Sequence, residues 1–579
     1  MCDVLFVVPS KVPSAYQECS GSLLLATILR ESGINADIYR FYEADMSKSF
    51  GDFVNETAEN ICRRNPRVVS FYCRCDYFLA DIKIAERLKQ INKDTVVVFG
   101  GPQATASCTE ILEELPFVDY CCSGEGETTV VPLFGGLLRG EDVTSVRGLT
   151  YRNAKGEVVS NPVPELIKNL DDIPNIDYAL IPPQAMQTTK ERDAAITIDV
   201  GRGCPFNCEY CSTNVFWKRK FRVMSPKKIV DAMLKVNRDY GIKKFVFEHD
   251  LFTANKKNVL EFCNELTSSG LKIRWTCSSR IDTIDEEMID AMVAAGCTEI
   301  YFGIETGSPR MQEIIHKKIR IPDVVRICKY LAGKKIKVIA SFMYGFPEET
   351  EEDLELTMRL VLELVRSGVN RFQFHLCTIL PGTEYFEKYK NELVFAKSVS
   401  NIVSDFGVEE NYDFICEHKR LFAFYYEYHN EHRAKLEHFD RIVLLVIEMY
   451  NRLSSLDAEK FKDMSLVDIF FAYKAANADV LTDSEASEDL NLRSKEMARN
   501  YLSSVYADDK LEKVCQILDY AEDCSQMYSL QEGAMDVRSY NVDVKAYVEK
   551  KPLDEIELIP SIVYFRKKNG KIENVINKM

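Results

Sequence analysis

Residues 201–211 read GRGCPFNCEYC, with Cys204, Cys208 and Cys211 separated by three and then two residues in a loop that also holds Pro205, Asn207 and Tyr210. The number three is informative. A structural zinc site is closed by four ligands, as is an ordinary electron-transfer iron–sulfur cluster, whereas a catalytic metal keeps one position open. Three thiolates holding three irons of a four-iron cluster leave the fourth iron for a small molecule. The competing reading is a structural zinc site completed from elsewhere in the chain, for which His249 is a sterically conceivable donor.

Working outward, the loop follows the strand-like stretch AITIDVG. Five more such stretches come after it: KKFVFEHD, KIRWTCS, TEIYFGIE, KVIASFMYG and RFQFHLC, separated by helix-like segments such as PKKIVDAMLKVNRDYG. Six βα repeats predict a partial (β/α)6 barrel of the TIM type over residues 192–390, with its chemistry at the carboxyl ends of the strands. Upstream, residues 1–165 alternate β-branched runs with amphipathic helices, the pattern of a parallel sheet covered on both faces in a Rossmann-like or flavodoxin-like domain. YRNAKGEVVSNP reads as a hairpin around Lys155 and Gly156, and residues 166–191 as a proline-punctuated linker. From residue 391 to 579 the strands are expected to stop, giving a mainly α-helical C-terminal domain that ends in a hairpin turning at Asn569 and Gly570. The fold class is therefore α/β with a helical C-terminal addition.

Composition narrows the function. A chain of 579 residues is too long for one core, and 46% hydrophobic residues make it globular. A formal net charge of -16 argues against nucleic acid as a partner. No run approaches the ~20 apolar residues of a membrane span, and no basic leader precedes the first apolar run, so a cytoplasmic protein is expected. The nineteen cysteines then read as reduced thiols or metal ligands, with Cys263, Cys277, Cys297, Cys328 and Cys377 as packing residues.

Cys204, Cys208, Tyr210 and Cys211 match the CxxxCxΦC motif, Φ being aromatic, and the chain resembles radical SAM enzymes at this point. The resemblance continues through FVFEHDLFTAN, WTCSSRID, AAGCTEIYFGIETGSPRMQEIIHKK, FMYGFPEET and LPGTEYF. It implies a 4Fe–4S cluster on the three cysteines and reductive cleavage of S-adenosylmethionine to a 5'-deoxyadenosyl radical. It also implies an external electron donor such as flavodoxin or ferredoxin. By position, Tyr210 falls beside the adenine, Glu248 near the methionine amine, Arg280 and Glu305 near the carboxylate and ribose, and Gly345 where backbone approaches the adenosine.

In the first domain, FGGPQATA places Gly100, Gly101 and Pro102 at one strand end. CSGEGETT places Gly124, Glu125, Gly126, Glu127 and Thr128 after the next. Glycines there permit close approach to a ligand in the crevice of a parallel sheet. Ahead of a radical SAM core, this domain resembles the cobalamin-binding domain of cobalamin-dependent radical SAM proteins, and the two motifs are its expected contacts. Residues 1–248 contain no histidine, and Gln103 stands where relatives often carry one, so cobalamin is expected base-off and without imidazole ligation. Cys73 and Cys75 are further candidates to face the cobalt.

The leading expectation is cobalamin-dependent methylation of an unactivated carbon in a peptide or small-molecule substrate. A radical cyclisation, rearrangement or oxidation without methyl transfer is the alternative within the same chemistry. A cobalamin- or zinc-binding regulatory module without turnover is the alternative outside it. No catalytic residue beyond the cofactor contacts is identified from the sequence.

Overall fold

The computed structural model describes residues 2–15, 18–369, 371–396, 403–437, 439–454, 465–476, 509–526, 535–540, 542–549, 551, 555–558, 561–568 and 571–578. Its first sheet is built from β1 (Val4–Val8), β2 (Ala36–Arg40), β3 (Val68–Tyr72), β4 (Val96–Gly100), β5 (Tyr120–Cys122), β6 (Leu149–Arg152) and β7 (Val158–Ser160). The order is β2-β1-β3-β4-β5-β6-β7. The first five strands pair in parallel. This is the flavodoxin-like order, whose reversal between β1 and β3 opens a crevice at the carboxyl ends of the strands. Every residue of β1 is buried, as expected of a strand covered by helices on both faces. β6 and β7 form the hairpin expected around Lys155 and Gly156 and extend the sheet antiparallel to β5.

The segment read as a linker is folded. A helix, Pro183–Glu191, closes it, and hydrogen bonds fasten it to the first domain. Arg40 donates to the Leu180 carbonyl at 2.9 Å, Asp177 N to Thr27 Oγ1 at 2.9 Å, and Ala15 N to Thr189 Oγ1 at 3.1 Å. Its apolar residues Leu170, Ile173, Leu180 and Ile181 are buried. Burial of that kind holds a segment that prolines alone would only make stiff.

The second sheet contains β8 (Ile196–Asp199), β11 (Lys244–Glu248), β12 (Arg274–Ser279), β13 (Cys297–Glu305), β14 (Lys337–Tyr344) and β15 (Arg371–Leu376), in an arc of six parallel strands. β9 (Gly201–Arg202) and β10 (Arg222–Val223) form a small antiparallel ribbon beside it. This is the expected partial barrel. Helix formation follows local signals: Pro226–Tyr240 starts with Ser225 accepting from Lys228 N, has proline at its first turn, and ends at Gly241 with φ +73°. Trp275 fills the space under the helices, stacked on Phe247 at 4.9 Å, with its indole N–H on the Ala295 carbonyl.

Strands do not stop at residue 391. Leu393–Phe395 pairs antiparallel with Tyr426–Tyr428, and Met535–Tyr540 joins Ser561–Lys568 and Lys571–Lys578 in a three-stranded sheet. The first pair has three residues per strand, too few for an alternating pattern to show, and Met535–Tyr540 finds its partner only beyond residue 560. The terminal hairpin is present, while its expected turn at Asn569 and Gly570 lies outside the described residues. By contacts the chain forms two units, residues 1–353 with 367–435, and 354–366 with 436–579. Residues 391–435 therefore pack with the first domain and barrel: Phe422 and Phe424 meet Phe78 at 6.0 and 6.4 Å.

Candidate active site

The cysteine loop connects β9 to the short helix Thr213–Trp217. Gly203 (φ +81°) admits the turn, since a Cβ there would collide with the Lys220 carbonyl and stand 2.9 Å from Trp217 Cβ. Asp250, just beyond β11, accepts from Gly203 N at 2.9 Å and from Thr213 Oγ1 at 3.0 Å, so one carboxylate fixes both ends of the loop. Cys208 is buried and Cys204 and Cys211 are half-buried. Burial pushes the Cys204 thiol up to about 11 and raises that of Cys211.

Two cations face this loop. The Arg280 guanidinium lies 3.7 Å from Cys208 Sγ and 3.7 Å over the Phe206 ring. Asp282 holds it through two 2.9 Å hydrogen bonds, and the Lys317 carbonyl through one of 2.6 Å. Lys317 Nζ is 3.0 Å from Glu305 and 3.5 Å from the Tyr210 hydroxyl. Burial opposes the charge of Lys317, and Glu305 followed by Cys208 outweighs it, leaving the ammonium firmer than usual. A buried, negatively charged group held by three thiolates needs such cations, because desolvated charge is costly unless compensated. Arg280, Glu305 and Tyr210 are thus brought together around Lys317. Lys317 was missed: it stands in a quoted landmark, but nothing in its spacing marks it.

The donor set suits a cluster better than one zinc ion. Tetrahedral zinc with Zn–S near 2.3 Å would bring its sulfurs within ~4 Å of one another. Among the described residues the three thiols and His249 do not gather within the 4.8 Å a single ion demands; Glu209, His316 and Glu384 on the loop's outer side do. His249 instead stacks on Phe221 at 5.1 Å, and burial lowers it to about 4, keeping it neutral.

A cavity of about 700 Å³ opens at the carboxyl ends of the first sheet and reaches Ser212 and Thr213 beside Cys211. Gly100, Gly101, Pro102, Gly124, Glu125, Gly126 and Glu127 line it from the first domain, and Glu248, His249 and Asp250 from the barrel. At Gly100 the nearest atom to an added Cβ is 4.0 Å away, so a side chain there would project into this space. That cradle, at the crevice the strand order creates, fits a large cofactor. Glu248 contacts water only because it walls the cavity; protein surrounds it, and burial raises its carboxyl despite a hydrogen bond with Ser20. Arg280, Glu305 and Lys317 do not line this cavity.

Four expected contacts behave differently. Thr128 is exposed and off the cavity. Glu125 is engaged by Arg202 at 2.7 Å, by Arg222 at 2.8 and 2.9 Å and by Ile167 N at 2.6 Å, and Glu127 pairs with Arg202. These carboxylates therefore fasten the first domain to the ribbon that launches the cysteine loop. Their need for two arginines was legible only as charge inside a glycine-rich motif. Gly345 (φ +71°) has its amide on Glu349 at 2.7 Å and its carbonyl on Arg433 at 2.8 Å, so its own polar backbone groups are taken. Gln103 points into the protein, donating to Ser107 and the Leu421 carbonyl. Cys73 is fully buried with its thiol pushed well up by that burial, Cys75 is half-buried, and Cys263, Cys277, Cys297, Cys328 and Cys377 are buried as packing.

The radical SAM superfamily model matches residues 198–361, and the B12 binding domain model matches residues 18–134. An uncharacterized methyltransferase of Pyrococcus horikoshii is 32% identical over 333 residues, 58% of this chain and 71% of that protein. An anaerobic magnesium-protoporphyrin IX monomethyl ester cyclase of Rubrivivax gelatinosus is 28% identical, over 53% of this chain and 56% of its own length. Among solved structures, the cobalamin-dependent S-adenosylmethionine radical enzyme OxsB superposes with a TM-score of 0.61 at 14% identity, covering 92% of this chain and 82% of OxsB, a likeness of fold. No helix among the described residues is long and apolar enough to cross a membrane.

Proposed function

Because this chain belongs to the radical SAM enzymes that carry a B12-binding domain, with a 4Fe–4S cluster, S-adenosylmethionine and cobalamin as their cofactors, we propose that it methylates an unactivated carbon of a peptide or small-molecule substrate. The observation that carries this reading is the single cavity walled by both cofactor domains, from Gly100 and Gly101 on one side to Thr213, beside the cysteine loop, on the other. When bound, the cluster with S-adenosylmethionine supplies a carbon-centred radical and cobalamin supplies a methyl group. The protein's part is placement and exclusion of competing reactions.

Cys204, Cys208 and Cys211 hold the cluster, and Asp250 fixes the loop that presents them. Arg280 and Lys317 offset its negative charge, and with Glu305 and Tyr210 form the polar patch suited to a zwitterionic amino acid and a ribose. Glu248, on the cavity wall, can hold a proton at its carboxylate near the substrate. The electron comes from a carrier such as flavodoxin or ferredoxin, in a reducing cytoplasm where the thiols stay free. The cyclase relative supports a second reading, radical chemistry without methyl transfer.

Protein reconstituted without oxygen should bind about four irons per chain and shift the visible spectrum of added cobalamin. With reductant and S-adenosylmethionine it should form both S-adenosylhomocysteine and 5'-deoxyadenosine. Formation of 5'-deoxyadenosine alone, with cobalamin bound or absent, would favour the second reading, and an iron-free protein would exclude both.

A further inference from the structure

The helix that follows the cysteine loop ends at Trp217, the first residue of WKRKFR, residues 217–222, whose Lys218–Lys220 form a knuckle before β10. Lys218, Arg219 and Lys220 are exposed, and no ion pair with any of them occurs among the described residues. The arginines beneath them are treated differently. Arg202 and Arg222 lie under the knuckle with Trp217 at 5.8 and 5.3 Å from their guanidinium carbons, and Glu125, Glu127 and Asp199 neutralise them. Three uncompensated cations therefore stand at the surface of a chain with net charge -16.

Their backbone is unusual as well. Lys218 (φ +48°) and Arg219 (φ +59°) are consecutive left-handed residues, a conformation that crowds the Cβ of any residue but glycine. Glycine would relieve that crowding, yet two long cationic side chains occupy the positions. The knuckle also abuts the cluster loop: the Lys220 carbonyl is the atom that forbids a side chain at Gly203, one residue before Cys204, and Trp217 packs against the same glycine.

We propose that this knuckle is the docking surface for an acidic one-electron carrier protein. The inference rests on the reading of the chain as a reductively activated enzyme and adds the place where the electron enters. In an acidic molecule a like-charged carrier is repelled over most of the surface, so a local positive site sets both orientation and encounter rate. At the contact the carrier is oxidised by one electron and the cluster reduced by one; no bond forms and no proton need move.

The test uses the reconstituted full chain with reduced flavodoxin as probe, following cluster reduction by stopped flow over a range of ionic strength. The variant K218Q/R219Q/K220Q should react at least about tenfold more slowly at low salt and lose most of the parent's salt dependence. A control, K243Q/K272Q/K337Q, removes three exposed lysines at the amino-terminal side of the barrel strands and should match the parent. Titanium(III) citrate should reduce the cluster of all three proteins to the same extent; failure to reduce the parent would count against the enzyme reading itself. If the parent is reduced by the small molecule and the knuckle variant keeps the parent's rate and salt dependence with flavodoxin, the docking proposal is overturned.

Discussion

Lys317 carries its charge where little water reaches it, and Glu305, equally buried, is its carboxylate partner. Glu305 adopts φ +70° to place that carboxylate, a strain a β13 residue would not otherwise carry. Removing one member of such a pair strands the other. Lys317→Met and Glu305→Gln should each cost about 3–5 kcal/mol in urea unfolding, and the double variant clearly less than the sum. Additive losses would show that the pair is not coupled. A second residue-scale expectation concerns Gly203. Gly203→Ala puts a methyl group into the Lys220 carbonyl at a left-handed position, so iron per chain after reconstitution should fall to less than half that of the parent. The spacing of the three cysteines was readable because ligand chemistry is local in sequence. Lys317 was not, since a contact across twelve residues has no period to betray it.

At the scale of elements, the helix Pro309–Ile314 and the start of the helix Glu351–Arg366 meet at Asp353. Its carboxylate accepts from Ser308 Oγ at 2.5 Å, Arg310 Nε at 3.2 Å, and Thr350 N and Oγ1 at 3.0 and 2.7 Å. Burial alone would raise this acid, but Arg310, Ser308 and Thr350 together bring it down to about 2. A folded value below the ordinary one means stability that is present above the ordinary carboxylate range and lost as pH falls through about 4 toward 2. Asp353→Asn should therefore be about 1–2 kcal/mol less stable than the parent at pH 7, and the gap should narrow by pH 3.5 in matched urea titrations. A constant gap would assign the effect to packing instead. The strands and helices around this joint were legible from their alternation. The folded linker and the strand pair Leu393–Phe395 with Tyr426–Tyr428 were not, because buried apolar residues in a proline-rich stretch and three-residue strands carry no periodic signal.

For the whole molecule, the absence of histidine from residues 1–248 leaves the B12-binding domain without an imidazole of its own. Bound cob(II)alamin should accordingly show no nitrogen superhyperfine splitting in its electron paramagnetic resonance spectrum. Splitting that disappears in His249→Ala would instead assign that neutral cavity-wall imidazole as a ligand. Domain order and cofactor identity were legible from motifs at strand ends, yet how the two domains are held together was not. That depends on Glu125 meeting Arg202 and Arg222 across 77 and 97 residues. Glu125→Gln should cost about 3–5 kcal/mol by leaving two arginines short of a partner, read in thermal unfolding. The same junction has a consequence for recombination. A chimera grafting this first domain onto another barrel could fold in both halves and still set its two cofactors at the wrong separation, unless Arg202 and Arg222 travel with the graft as its gauge.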